Sequence, residues 1–170
     1  MNQKIRLVPS TEIDRTLEKQ LGDWFKAEFG PRADRWRSAD YYVPVNRDGQ
    51  LVGRLGVLDS KVSVANQIIR VGGIGGVATK PEFRHRGVAR AMLARAAEFT
   101  KSDLKIEFGL LLCRHEVSPV YAKMGWLIVP GPTTFTRVGI AATYQSDTMI
   151  LPLGETAWPV GPIDMLGLPW

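Results

Sequence analysis

The chain has 170 residues, a formal net charge of +5 and one cysteine, Cys113. That length suits one domain, residues 1–170, with enough apolar residues to bury a core. A lone cysteine excludes an intrachain disulfide and zinc clusters built on several thiolates, and no apolar run approaches the ~20 residues of a membrane-spanning helix.

Residues 1–6 lack the apolar stretch of a secretory signal, so the expected location is cytoplasmic. Residues 5–8 alternate as an edge strand. Ser10 offers a cap for a helix over 11–25, with Ile13, Leu17, Leu21 and Trp24 or Phe25 on its buried face. Gly30-Pro31 breaks the chain. Residues 32–38 suggest a second short helix, with Arg32, Arg35 and Arg37 on a solvated face. Residues 41–45 and 51–58 read as strands joined by a hairpin turn at 46–50. Asp59-Ser60-Lys61 suggests another turn before a strand at 68–79. That strand holds Gly72, Gly73, Gly75 and Gly76, which predict a bulge or a close approach by a bulky neighbour.

Past Lys80-Pro81 comes a basic turn, Arg84-His85-Arg86-Gly87-Val88-Ala89. A helix follows, because Val88, Met92, Ala96 and Phe99 fall on one face. Residues 106–113 form a strand in which Cys113 reads as a small buried hydrophobe. A short helix from Ser118 to Met124 has Pro119 at an early position and Gly125 as a left-handed cap. Residues 126–129 are extended, and 135–138 and 149–153 are closing strands. Residues 157–170 are too apolar for a free tail and should lie along the surface, anchored by Trp158 and Trp170.

The basic turn carries the functional argument. A helix N-terminus leaves backbone N–H groups without intrahelical partners and adds partial positive charge. Gly87 lets a ligand approach the backbone closely. Arg84, Arg86 and Arg90 add full charges, so the parts of a pyrophosphate cradle are present. These basic residues give the positive charge a use, and no nucleic-acid module is visible, so no nucleic-acid partner is expected.

Arg84-x-x-Gly87-x-Ala89 resembles the R/Q-x-x-G-x-G/A signature of the GNAT N-acetyltransferase superfamily. Tyr121-Ala-Lys-Met-Gly125-Trp126 is similar to a second segment of that superfamily, in the expected order. The resemblance covers residues 51–126 and implies an α/β (α+β) domain: a mixed, mainly antiparallel sheet flanked by helices. It also implies acetyl-CoA as co-substrate. Residues Arg84, His85, Arg86, Gly87, Val88 and Ala89 would hold its pyrophosphate. Val77, Ala78 and Thr79 would pair with its pantetheine arm. Tyr121 would be the general acid for the leaving sulfur.

The C-terminal half resembles aminoglycoside 2'-N-acetyltransferases through Gly125-Trp126, Gly131-Pro132-Thr133, Leu151-Pro152 and the closing Gly-x-x-Trp. It is more loosely similar to rhizobial nodulation acyltransferases. Both groups act on glucosamine-like amines, which suggests an amino-sugar acceptor. Two departures stand out. The acidic residue those aminoglycoside enzymes carry before the cofactor motif is Gly75 here, and an acidic residue near their end is Leu168 here. Losing both carboxylates argues against a polycationic acceptor. His115 and Glu116 are then candidate bases, histidine being the residue type that changes charge between about pH 5 and 8. Gly75, Asp147 and Trp170, whose carboxylate would be the chain's end, are candidate acceptor-side residues.

The expected partner is a small-molecule amine, with no metal and no membrane, and the protein is read as a monomer or homodimer. Two alternatives stay open at this point. One is an acyltransferase using longer acyl-CoA or acyl-carrier thioesters. The other is a CoA-binding module without turnover.

Overall fold

The computed structural model describes residues 3–30 and 35–170. Two short strands, β1 (Gln3–Ile5) and β2 (Val8–Pro9), lead into a 3-10 turn at Ser10–Glu12. Helix α1 (Arg15–Phe29) starts later than the sequence suggests. Its cap is Asp14, not Ser10, because the Asp14 carboxylate accepts from Leu17 N at 2.8 Å. Gly30, at φ 82°, ends it. The break at Gly30-Pro31 and the helix expected over 32–38 fall partly outside the described residues, Asp34 and Arg32 among them. Residues 35–38 are not helical.

The strand expected at 41–45 divides into β3 (Tyr41–Tyr42) and β4 (Val45–Arg47), with Pro44 removing a ladder donor between them. Asp48-Gly49, both at positive φ, then close a tight hairpin into β5 (Gln50–Val64). The turn expected at Asp59-Ser60-Lys61 does not form. Leu58, Ser60, Val62 and Val64 are buried while Lys61 is exposed, so the segment keeps the two-residue period of a strand. Asp59 is held there by Arg70 across the hairpin, Oδ2 to Nη2 at 2.6 Å. The chain reverses instead at Ala65-Asn66, φ 48° and 68°, into β6 (Gln67–Thr79).

A 3-10 turn at Pro81–Phe83 precedes helix α2 (Val88–Ser102), whose face of Val88, Met92, Leu93, Ala96 and Phe99 is buried as its spacing predicts. Each large apolar side chain on that face contributes about 1.5–3 kcal/mol. Then come β7 (Phe108–Cys113), α3 (Ser118–Ala122), β8 (Leu127–Ile128), the hairpin of β9 (Thr133–Arg137) and β10 (Ile140–Thr143), β11 (Asp147–Pro152) and β12 (Ile163–Asp164).

Among the described residues, twelve strands form one sheet with the central order β10-β9-β12-β5-β6-β7-β11-β8. The β6–β7 and β12–β9 pairs are parallel and the other pairs are antiparallel. This is the mixed, mainly antiparallel sheet flanked by helices that the sequence implies. One core lies under α2 and takes in Val57, Ile74, Leu111, Cys113 and Trp126. A second gathers Leu58, Val62, Phe108, Leu110, Ile150 and Trp170. Helix α1 packs Leu17 and Leu21 on Leu51.

The C-terminal stretch is more than a surface strap. Residues Ile163 and Asp164 add β12 between β5 and β9, and Trp170 is 5% exposed. Its indole Nε1 donates to Leu110 O at 3.4 Å. Trp158 is the shallower anchor, edge-on to Phe108 with ring centroids 5.1 Å apart. Arg37 does not lie on a free helical face. Its N–H donates to Pro169 O at 2.7 Å and its guanidinium to Ser60 Oγ at 2.6 Å, which fixes the tail to β5.

Candidate active site

Strands β6 and β7 pair only at Gly72–Gly109, Gly73–Leu110 and Ile74–Leu111. Beyond Ile74 the two strands part. The cause is in β6: opposite Leu55 the register slips, and Gly76 sits at φ 57°, a conformation glycine adopts without strain. The predicted bulge is therefore present, and it leaves the β7-facing edge of residues 75–79 without a neighbouring strand. Backbone groups on such an edge are ready partners for an extended ligand. Gly75, Gly76 and Val77 are half-buried, and Thr79 Oγ1 is buried without a hydrogen-bond partner.

The glycines before the bulge answer a different need. A Cβ on Gly73 would collide with the Trp170 indole, and one on Gly75 would come within 2.9 Å of the Trp170 main-chain carbonyl carbon. No carboxylate side chain fits at position 75, because the tail already fills that space.

At the end of β6 the basic turn is exposed from Arg84 to Gly87. His85 and Gly87 both take positive φ, 59° and 78°, which turns successive N–H groups toward one side. Helix α2 has no side-chain cap at Gly87, and its first intrahelical bond is Ala91 N to Gly87 O at 3.0 Å. The N–H groups of Val88, Ala89 and Arg90 thus precede the ladder. Arg84 folds back, donating from Nε to Thr79 O at 3.2 Å and lying 3.5 Å from Glu28 Oε1. Between α2 and α3 runs a groove of about 310 Å³, lined by Arg90, Leu93, Ala97, Lys123, Met124 and Trp126. An unpaired strand edge and an uncapped helix start follow one another along the chain, with Arg90 of the groove in the first turn of that helix, and these are parts suited to a phosphorylated, extended ligand such as CoA.

On the β7 side, Tyr121 packs against the core under α2, edge-on to Trp126 with centroids 6.2 Å apart. Burial pushes its phenol well above the ordinary tyrosine range, and Cys113 adds to the shift. The hydroxyl therefore stays protonated at neutral pH. Burial also raises the Cys113 thiol to about 11, so it is the inert, buried cysteine the sequence suggests. Asp147 lies opposite Cys113 in the β7–β11 pairing. Its Oδ1 meets His115 Nδ1 at 2.7 Å; the histidine side chain is 70% exposed and the aspartate 11%. A hydrogen bond from Ser118, then His115, holds the Asp147 carboxyl below the usual range. The Ser118 hydroxyl also lies 3.0 Å from His115 O. Glu116 is exposed and makes no ion pair with a described residue.

Thus the structure brings Val77–Thr79 and the turn at 84–89 together along one face, and joins His115 to Asp147 rather than leaving each alone. Gly75 and Trp170 touch each other. Asp40 is occupied structurally, its Oδ2 accepting from Asp59 N at 2.9 Å. Sequence reasoning missed two features. Lys123 completes the groove, although only folding brings it near Arg90. Arg54 is buried beside the bulge, and its signal was visible as an arginine inside the apolar run from Leu51 to Val57.

A family model described as an acetyltransferase (GNAT) domain matches residues 4–129. The chain belongs to the GNAT acetyltransferase family. That family uses acetyl-CoA as its acyl donor. Among curated proteins, an aminoglycoside 2'-N-acetyltransferase of Mycolicibacterium fortuitum is 21% identical over 159 residues, spanning 89% of this chain and 80% of that protein. Among solved structures, Escherichia coli ElaA superposes with a TM-score of 0.67 at 13% identity, covering 88% of this chain and 99% of ElaA. The GNAT family N-acetyltransferase YhbS of Escherichia coli, solved in complex with CoA, has a TM-score of 0.66 at 13% identity and covers 98% and 91% of the two chains. These similarities agree with the GNAT fold. No helix of the described residues is long and apolar enough to cross a membrane, and no cluster of three or more His, Cys, Asp or Glu among them could hold a metal.

Proposed function

We propose that this GNAT acetyltransferase moves an acetyl group from acetyl-CoA to a primary amine of a small molecule, in the cytoplasm where that donor is made, as a monomer or homodimer. Acetyl-CoA supplies the activated acyl thioester. The unpaired β6 edge at Val77–Thr79 takes the pantetheine arm, and the orphaned Thr79 hydroxyl is one group it would satisfy. Arg84, Arg86 and the N–H groups at the start of α2 hold the pyrophosphate. Glu28 loosens its grip on Arg84 as phosphate arrives, since their 3.5 Å contact is long and exposed. The observation that carries the reading is the uncapped α2 N-terminus standing at the mouth of the β6–β7 splay.

In the reaction the C–S bond breaks as the N–C bond forms. The amine loses a proton, and Tyr121, kept protonated by burial, gives its phenolic proton to the leaving sulfur. His115, oriented by Asp147 through Nδ1, presents Nε2 outward and is the candidate acceptor for the amine's proton, directly or through water. Likeness to the aminoglycoside enzyme suggests an amino-sugar acceptor, but the space a carboxylate would need at Gly75 is taken by Trp170.

The test is calorimetric titration with acetyl-CoA followed by an amine screen read as thiol release. Arg84→Glu should weaken acetyl-CoA binding about tenfold or more, the scale of one charge-assisted hydrogen bond. Tyr121→Phe should bind acetyl-CoA normally yet lower kcat by about 10²–10⁴, as for loss of a general acid. Unchanged binding in Arg84→Glu removes the turn from the cofactor site, and unchanged kcat in Tyr121→Phe removes the phenol from the chemistry.

A further inference from the structure

Arg54 of β5 is used by none of the steps above, yet it is 4% exposed. Its Nη1 donates to Leu21 O at 2.8 Å, and its guanidinium lies over the Phe25 ring, 4.8 Å from the centroid. Its Nε is buried without a partner. No Asp or Glu among the described residues forms an ion pair with it. Burial lowers its pKa to about 10, with Tyr42 as the opposing influence, so the side chain is still cationic at neutral pH. A buried cation with one carbonyl and one aromatic ring for company is poorly compensated. An anion entering beside it would supply the missing partner.

The position of the charge says which anion. Nη2 lies 3.0 Å from where a Cβ on Gly76 would stand, and the Phe25 ring lies 3.3 Å from the same point. Gly76 is the bulge residue that opens the splay. Arg54 is thus a cation set under the strand edge where the thioester end of the donor would lie, on the side covered by α1. Half-buried Phe25 is the cover over Nη2.

We propose that Arg54 recognises a carboxylate on the acceptor, making the substrate class an amine that carries a carboxyl group close to its nitrogen, of the amino-acid type. This rests on the acetyltransferase reading above and, within its small-molecule amines, sets an amino-acid type in place of the amino sugar. Arg54 offers Nε and Nη2 as donors, and Phe25 swings aside as the carboxylate enters. A guanidinium fork suits a planar carboxylate, which an ammonium would hold with less directional preference.

The experiment compares α-amino acids with their own amides and amino alcohols as acceptors for acetyl-CoA, read as kcat/KM by thiol release. The expected result is a preference of about tenfold or more for the carboxylate forms, the scale of a hydrogen bond to a charged group. Arg54→Gln should bring that ratio to about 1 while leaving the acetyl-CoA Kd within about twofold of wild type, and Arg54→Lys should restore part of it. Equal rates on the three forms in the wild type overturn the proposal. So does an Arg54→Gln variant that slows every amine by the same factor, which marks a structural role. Should the variants fail to fold, wild-type protein saturated with CoA decides: N-acetyl amino acids should bind more tightly than the matching N-acetyl amino amides, and equal affinity overturns the proposal. That binding measurement needs no turnover. A protein that binds acetyl-CoA and N-acetyl amino acids but acetylates nothing would sink the enzymatic reading and leave the carboxylate site standing.

Discussion

The two sides of the β6–β7 splay are built by different means. The proposed donor side, from Val77 to Ala89, is a local structure: a strand edge, a turn with two positive-φ residues and an uncapped helix follow one another along the chain. Its surface is exposed and basic, and its key groups are backbone N–H. The proposed acceptor side is assembled from afar. Gly75, Arg54, Phe25 and Trp170 come from β6, β5, α1 and the tail, and they meet only because the sheet and helix close around them. Substitutions on the donor side should therefore alter ligand affinity more than folding, whereas substitutions on the acceptor side should alter both.

The strongest way to break that contrast is at the tail. Trp170→Ala removes a ring that packs on Gly73 and reaches Leu110 O, and it should cost about 3–5 kcal/mol of stability, the range for deleting a large buried aromatic. Urea unfolding measures it; a loss under about 1 kcal/mol would mean the tail is a strap after all. A smaller effect is expected on the donor side. A Cβ on Gly87 meets nothing within 4 Å, so Gly87→Ala suffers only from its φ of 78°, about 1–2 kcal/mol. Its acetyl-CoA affinity should fall with little change in unfolding midpoint beyond that amount. A full loss of folding would show that the turn is part of the core.

The smallest expected effect sharpens the picture between the two sides. The folded Asp147 carboxyl sits below its ordinary value through Ser118 and then His115. A depressed carboxyl adds stability that is complete above its unfolded value, about pH 3.9, and is lost as pH falls through the folded value. Asp147→Asn should therefore flatten part of the acid limb of a melting-temperature profile between pH 2 and 5 and leave pH 7–9 nearly parallel to wild type. In a rate profile, the same variant should shift the neutral-pH limb if Asp147 orients His115 as base, and leave it in place if the pair only fastens the β7–α3 turn.

How much of this was legible in the sequence follows from distance along the chain. The α2 helix, the basic turn and the glycine-marked bulge were readable because each depends on residues within one or two turns of one another. The turn expected at Asp59-Ser60-Lys61 failed because its polar composition belongs to the outward face of a long hairpin, where Arg70 answers Asp59 from the next strand. The cap at Ser10 failed for a similar reason: Asp14 had the same chemistry four residues later and a better reach to Leu17 N.

By itself the sequence determined a domain-sized chain, its amphipathic central helix and the basic, glycine-containing turn before it, since spacing and local backbone preference suffice for these. Only the tertiary structure decided that Trp170 fills the space beside Gly73 and Gly75, that His115 meets Asp147, and that Arg54 is buried without a carboxylate from the described residues. Those facts depend on which distant side chains share a volume, and volume is settled by packing once the sheet has closed.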